Sequence, residues 1–550
     1  MPASKFHLRP AAFCGRAFVL FLCGAAHFLL PVLRAQLPDD GSTVQEPRAL
    51  GLREPTADET AWMDLHMQKT KGVRLNELGL SRVNRDRREK NLTELAVAVT
   101  VPAGQEPVSA EAVASGDGGK YVMAGTTTGV ALPSAVDNST LPSFPPVGNQ
   151  GSIGSCAAFS TTYYAATHMT GLVRGWTNNN ADLTQKFSPK WTYNFANGGA
   201  DNGTWFTSVF DVLLKLGAAT WSDWPYNGTN TSTNYLEWPL SASVWRNAVN
   251  YRFSDVGRVQ NLDTGTGLAA AKAMLNNGYV LLYATDIYAW RFTTFSNDPA
   301  TNADNAFVGQ PVCRVVKDFT RVYNGQGSGH AMTIVGYNDD VWTDINKNGV
   351  VDPGEKGAFK IVNQWGTNWG VPGDTGSYTS VTTNGYAWIA YDALRATSAV
   401  PTTATETYFS TDRAGGTYSY RTAFWGQEIY WISARASYTP TLLGQFTLSH
   451  AQRSQLQLRL GRSATTATVP ATYWPVTTTS YNGWASTSGL QVFQNLGGSY
   501  AFNGTFTAVS GTFVFDCTDL ATAGNQRYYL EVGDNASGSA ASVSDFRLVN

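Results

Sequence analysis

The sequence predicts an α+β protein of two lobes with a cleft between them, followed by an all-β sandwich. Three observations carry this. Helix-periodic stretches (Cys156–Thr170, Trp205–Leu216, Gly267–Asn277) come first, and strand-like apolar runs (Val280–Thr285, Ala331–Tyr337, Phe359–Val362, Tyr386–Ala390) follow. From residue 405 onward there is no lysine, and short alternating segments recur between turn residues. Charged residues make up only 15% of the 550, while glycine, threonine, tryptophan and tyrosine are plentiful, a balance that suits a β-rich extracellular protein.

Taken in chain order, residues 1–35 have the form of a secretory signal. Lys5, Arg9 and Arg16 supply a basic start, Ala17 to Leu33 is mostly apolar, and Ala35 or Ala26 offers a cleavage site. The competing reading is an uncleaved membrane anchor; no later stretch is apolar enough to span a bilayer. Residues 36–131 lack the marks of a compact core. Thr56 to Lys69 predicts one short helix around Trp62 and Leu65, Arg82 to Lys90 is a charged run, and Val101 to Gly129 is rich in Gly, Ala, Thr and Pro. The stretch reads as a prosegment or a linker. Residues 132–398 hold the helices and strands named above. After the linker-like Pro401-Thr-Thr-Ala-Thr-Glu-Thr407, residues 402–550 predict a β-sandwich built on Gln455–Leu460, Thr512–Phe515, Tyr528–Val532 and Phe546–Val549. Its composition suits a module that holds the protein near a polymer or cell surface, and equally a packing partner. The net charge of −2 gives no sign of a nucleic-acid partner.

The chemistry gathers around Cys156. It opens an apolar stretch expected to be a helix closed by Gly171, and a helix N-terminus favours a thiolate. His330, between a glycine-rich run and a buried strand, is placed to take the thiol proton and return it to a leaving amine. Asn363, after the strand Phe359–Val362, would accept the other imidazole N–H and hold the ring. Gln150, six residues before the thiol, would donate its side-chain amide to a developing oxyanion. Each of these residues alone is more often structural; the ordered set is what counts. Cys14 and Cys23 fall inside the signal, so the mature chain keeps Cys156, Cys313 and Cys517, of which the last two could pair.

These residues resemble the papain-like cysteine peptidases over roughly residues 132 to 395. Leu132-Pro-Ser-Ala-Val-Asp137 is similar to the mature start of that family, and Gln150 to Ser160 to its stretch from oxyanion glutamine to nucleophile. The resemblance implies a papain-like two-lobed domain, a helical lobe plus a β-barrel-like lobe. It implies that Gly198 and Gly199, in Asn197-Gly-Gly, bind the substrate backbone. Trp224-Pro-Tyr226 is similar to the aromatic element that follows. Trp365, in Asn363-Gln-Trp-Gly-Thr-Asn-Trp-Gly370, would shield the His–Asn bond from water at the substrate site. The family's usual cysteine three residues before the nucleophile is Ile153 here, and the expected position of its partner is Ala196, so that bridge is absent. The separation of 174 positions between Cys156 and His330 exceeds the roughly 130–150 of the family and implies insertions within 226–320.

Between the His and Asn strands, Asp344-Ile-Asn346-Lys-Asn348-Gly349-Val350-Val-Asp352-Pro-Gly-Glu355 fits a twelve-position calcium loop. Asp344, Asn346, Asn348 and Asp352 would offer side-chain oxygens, Val350 its carbonyl, and Glu355 would close bidentate. The competing reading is an Asn-rich polar hairpin. The sequence thus predicts a secreted cysteine endopeptidase acting on protein or peptide substrates, with structural Ca2+, no cofactor for catalysis and no membrane contact after signal removal. Rival readings are a silent binding or adhesion protein and an acyl transferase using the same triad.

Overall fold

The computed structural model describes residues 50–108, 120–126, 129–299, 305–316, 322–323, 326–327, 329–372, 378–379, 384–395, 398–401, 423–474, 479–481, 484–486, 498–534 and 536–550. The expected signal and the linker after Pro401 lie outside these residues. No helix among them is long and apolar enough to cross a membrane.

The helices are α1 (Ala57–His66), α2 (Glu77–Glu89), α3 (from Cys156 to Arg174), α4 (Pro189–Ala196), α5 (Phe206–Leu216), α6 (Ser232–Leu236), α7 (Ala242–Val249) and α8 (Gly265–Asn276). The largest sheet is built from β1 (Gln68–Lys69), β2 (Ala135–Asp137), β3 (Asp255–Val259), β4 (Leu281–Asp286), β5 (Trp290–Thr294), β6 (Pro311–Val316), β7 (Gly329–Trp342), β8 (Lys356–Val362), β9 (Tyr386–Ala390) and β10 (Ile429–Ser433). Its order is β1-β3-β10-β4-β7-β8-β9-β6-β5, with β2 also on β7. The antiparallel β7–β8 pair sets Thr333 opposite Val362. That register brings the residue just past β8, Asn363, beside the start of β7, where His330 sits.

α3 differs from expectation in two ways. It begins α-helical over Cys156–Ala158, widens to a π-helix over Phe159–Ala166, and resumes as α over Thr167–Arg174. It closes at Gly175, whose φ of 70° is left-handed, one turn later than the expected Gly171. Gly171 serves packing instead: a Cβ there would stand 2.6 Å from the Asn178 amide nitrogen.

The N-terminal region is better built than its sequence suggests. α1 starts in a capping box, with Glu59 N donating to Thr56 Oγ1 at 3.2 Å and Thr56 N to Glu59 Oε2 at 2.9 Å. Trp62 and Met63 are buried, whereas Leu65 is 67% exposed, so the helix packs through Trp62 and not through Leu65. β1 pairs in parallel with β3, and Trp431 of β10 donates to Thr70 Oγ1 at 2.9 Å. The charged run Arg82–Lys90 is the later part of α2 and its C-cap Lys90, and the helix's Asn76 N-cap accepts from Gly79 N at 2.8 Å. Glu106 is fully buried, accepting from Tyr279 Oη and Asn76 Nδ2 at 2.6 Å each. Trp62, Met67, Val73, Leu75 and Val83 share one continuous core with α3, α5 and the large sheet.

The expected boundary near 402 does not divide the sheets. β10 lies between β3 and β4, with Trp431 opposite Gly257 and Tyr430 opposite Leu282. The sandwich follows: β11 (Leu443–His450), β12 (Leu456–Ala464), β13 (Thr472–Trp474), β14 (Val509–Asp516), β15 (Gln526–Asp534) and β16 (Ser542–Val549). They form two sheets, β14-β11-β16 and β13-β12-β15. Its core merges with the helical lobe, since Trp191, Phe195, Trp238 and Trp245 cluster with Phe446, Leu448, Phe513 and Phe515. Arg252 meets Asp516 across this junction at 2.6 Å, both side chains buried. Cys517 is a free, buried thiol that donates to Leu442 O at 3.4 Å, so no Cys313–Cys517 bridge forms.

Candidate active site

Cys156 stands at the first residue of α3, where Phe159 N donates to Ser155 O at 2.8 Å. The thiol is fully buried. Burial pushes it up to about 12, outweighing the backbone N–H groups of Ala331, Ala157 and Gly51 that face the sulfur and favour the thiolate. The contact with Ala331 puts the sulfur beside the start of β7, immediately after His330.

His330 faces Thr285 across β7–β4. Its Nε2 lies 2.9 Å from Asn363 Oδ1, which also accepts from Gln364 N at 2.8 Å. Gln364 Nε2 sits 3.3 Å from the same ring nitrogen and donates to Ala331 O at 2.7 Å. The Trp365 ring covers the imidazole, with centroids 4.5 Å apart and planes at 31°. Behind it Trp369 meets Trp365 at 6.1 Å, edge to face. The His–Asn bond is therefore buried, and its orientation is held from three sides.

The loop before the thiol is tied down at several points. Gln150 N donates to Gln364 O at 2.8 Å, and Gln150 Nε2 donates to Ile153 O at 3.0 Å. Tyr226 Oη donates to Gln150 O at 2.7 Å and stands 2.7 Å from Ser155 Oγ. Asp201 Oδ1 accepts from Gly154 N at 2.8 Å.

Residues 50–52 cross this site. Leu52 pairs in parallel with Thr204, Thr204 N donates to Gly51 O at 2.8 Å, and Leu52 N donates to Gly329 O at 3.3 Å. The approach is so close that a Cβ on Gly51 would stand 1.7 Å from Gly154 O, and one on Gly203 would stand 2.1 Å from Gly51 O. A peptide strand thus lies between Gly154, Gly203–Thr204 and Gly329, against the sulfur.

The structure brings together Cys156, Gln150, His330, Asn363 and Trp365, but not Gly198 and Gly199. An added Cβ on Gly198 would meet nothing within 4 Å, and Gly199 packs on Gly498 of the sandwich domain. The backbone edge that holds a peptide is Gly203–Thr204. Sequence reasoning also missed Asp201, Gln364 and the cleft-crossing Gly51–Leu52. Gln364 stood inside the Asn363–Gly370 motif without a role of its own, and the signal for Asp201 was its nearness to Asn202-Gly203.

The acidic loop folds around Glu355. Its Oε1 accepts from Ile345 N at 2.7 Å and Asn346 N at 3.3 Å, its Oε2 from Trp342 Nε1 at 2.8 Å and Asp352 N at 3.0 Å. Those four donors use the carboxylate's four lone pairs, so Glu355 does not fit a bidentate metal ligand here. Asp344 accepts from Asn348 N at 3.1 Å and Gly349 N at 3.0 Å, and the Asn346 and Asn348 amides donate to Asp352 Oδ2 at 2.7 Å each. Val350 is exposed, and its N donates to Asn348 Oδ1 at 2.8 Å. Among the described residues no group of three or more His, Cys, Asp and Glu is gathered to hold a metal.

Residues 132–392 match the family model described as papain family cysteine protease. Among solved structures the chain is similar to xylellain, a cysteine protease from Xylella fastidiosa, at 21% identity over 55% of this chain and 87% of that one, with a TM-score of 0.31. It is similar to the bromelain protease from Ananas comosus at 16% identity over 55% and 99%, with a TM-score of 0.30. It is similar to the proform of the ragweed pollen protease Amb a 11 at 15% over 65% and 87%, with a TM-score of 0.31. A comparison with curated protein sequences gave no match. Residues 132–392, just under half of the chain, are thus similar to the papain family of cysteine proteases.

Proposed function

We propose that the protein is a secreted cysteine endopeptidase. The observation that carries this reading is the buried His330 Nε2–Asn363 Oδ1 bond of 2.9 Å beneath Trp365, one residue from the backbone N–H that faces the Cys156 sulfur. In this reading His330 takes the thiol proton, and the Cys156 sulfur attacks the peptide carbonyl carbon. Gln150 Nε2 and the Cys156 backbone N–H stabilise the oxyanion. The C–N bond then breaks, His330 protonates the leaving amine, and water releases the acyl group by the same steps in reverse order. Thr204 N and Gly329 O hold the substrate backbone, as they hold residues 50–52. Export is supported by the basic and apolar start of the chain and by its low charge.

Residues 50–52 would then be inhibitory: they fill the peptide edge and account for the burial of the thiol. Structural calcium rests on the spacing of Asp344, Asn346, Asn348, Val350 and Asp352 alone, since Glu355 is engaged elsewhere.

The test is Cys156→Ala in the activated chain. Peptide hydrolysis should fall to background with the melting temperature unchanged, because the sulfur is the bond-forming atom. His330→Ala should lose nearly as much, since the two act as one unit. Turnover near that of the parent in Cys156→Ala would sink the proposal.

A further inference from the structure

The nucleophile loop and the peptide edge are joined through one carboxylate. Asp201 Oδ1 accepts from Gly154 N at 2.8 Å and from Tyr193 Oη at 2.5 Å. Tyr193 Oη in turn accepts from Gly203 N at 3.3 Å. Asp201 Oδ2 accepts from Asn230 Nδ2 at 2.6 Å, and that amide also reaches Ser152 O at 3.3 Å. The carboxylate therefore touches residues 152–154 on one side, directly and through Asn230. On the other it reaches Gly203 through Tyr193 Oη, and the neighbouring Thr204 binds the strand in the cleft. Tyr193 is buried, so this joint is held from beneath by α4. Hydrogen bonds to an ionised acceptor are short and about twice as strong as neutral ones.

We propose that Asp201 is a positioning residue that sets the separation between the Cys156 sulfur and the Gly203–Thr204 peptide edge. This rests on the peptidase reading above. The family's cysteine before the nucleophile is replaced here by Ile153, the neighbour of Gly154. Asp201 immediately precedes Asn202-Gly203-Thr204, as the family's partner cysteine precedes its glycine pair. A carboxylate with three donors thus does by hydrogen bonding what a covalent bridge would do. Asp201 contacts no substrate; it acts through Gly154 directly and through Tyr193 on Gly203. An error on the order of 1 Å in such a separation costs about 10²-fold in rate.

The experiment compares full chains activated in the same way. Asp201→Ala should lower kcat per titrated thiol by about 10- to 100-fold while KM for a short peptide changes little. Asp201→Asn places an amide N–H against the Asn230 amide and should be intermediate. A second readout needs no turnover: a peptidyl epoxide must use both the thiol and the edge, iodoacetamide only the thiol. The ratio of their alkylation rates should fall about tenfold in Asp201→Ala. A parent chain with no hydrolysis would overturn the peptidase reading, and this ratio would still judge Asp201. An unchanged ratio overturns the positioning role.

Discussion

At the scale of single residues, Gly51 carries the sharpest consequence. Any side chain there would collide with the Gly154 carbonyl at 1.7 Å, and backbone cannot give way cheaply. Gly51→Ala in the full chain should lift residues 50–52 off the edge and raise basal hydrolysis several-fold without proteolysis. It should also expose Cys156. In the closed chain the thiol is pushed up to about 12 by burial. The protonated form is therefore favoured by folding below the ordinary thiol range, and that contribution is lost as pH rises toward 12. Iodoacetamide labelling of the closed chain should stay slow at pH 8 and keep rising beyond pH 10, whereas Gly51→Ala should label fast at pH 8. Identical labelling profiles would show that the segment does not cover the sulfur. The Cys, His, Asn and Gln150 positions were legible in the sequence because each needs its own side chain and they arrive in a fixed order. The peptide edge was not. It works through the backbone N–H of Thr204, so the side chain is free to vary, and a better-looking glycine pair at 198–199 drew attention away.

At the scale of elements, the N-terminal region splits in two. Among its described residues, 50–52 lie in the cleft, while β1, α2 and Glu106 are built into the sheet and core. Cutting within Arg53-Glu54-Pro55 should therefore activate the enzyme and leave its melting temperature nearly unchanged. Removing everything before Leu132 should instead strip the cover from Tyr279 and α8 and unfold or aggregate the chain. An active, stable enzyme that starts at Leu132 would refute this division. The region was poorly legible because its buried residues fall one or two per short element, a pattern that has no period without the partner surface. The helix α8 and strands β7 and β8 were legible, since each buries a long continuous face. The loop at 344–355 was legible as a turn but not in the task of Glu355. Glu355→Gln loses two acceptor positions and leaves Trp342 Nε1 and Asp352 N short of partners, about 1–3 kcal/mol for each buried group. Its melting temperature should drop by several degrees with chelator or calcium alike. A drop seen only with calcium present would make Glu355 a metal ligand.

At the scale of the whole molecule, the sandwich is not an appendage. Its core continues into Trp191, Phe195, Trp238 and Trp245 of the helical lobe, each large aromatic contributing roughly 1.5–3 kcal/mol when fully buried. Arg453 is buried over the Trp238 ring at 4.9 Å, its charge pushed down to about 9 by burial. Deleting 402–550 should abolish folding, because it removes β10 from the middle of the sheet. Deleting 443–550 should give a chain that keeps the sheet but aggregates through the uncovered tryptophans, seen by light scattering. A soluble, active product from the 402–550 deletion would contradict both expectations. The sandwich strands were legible from their alternation. The insertion of β10 ahead of them was not, since Ile429–Ser433 reads as one more β segment and nothing local says which sheet it joins.

The place of β10 also sets a clock. β3 and β4 are made early, but the strand that belongs between them emerges only at residues 429–433, after the thiol, imidazole and amide have all been synthesised. Domains fold as units once their last strand is available. A growing chain therefore holds every catalytic group long before it holds a finished cleft. In the peptidase reading, no working cleft exists until nearly four fifths of the molecule has been made, and by then residues 50–52 are already present to occupy the edge.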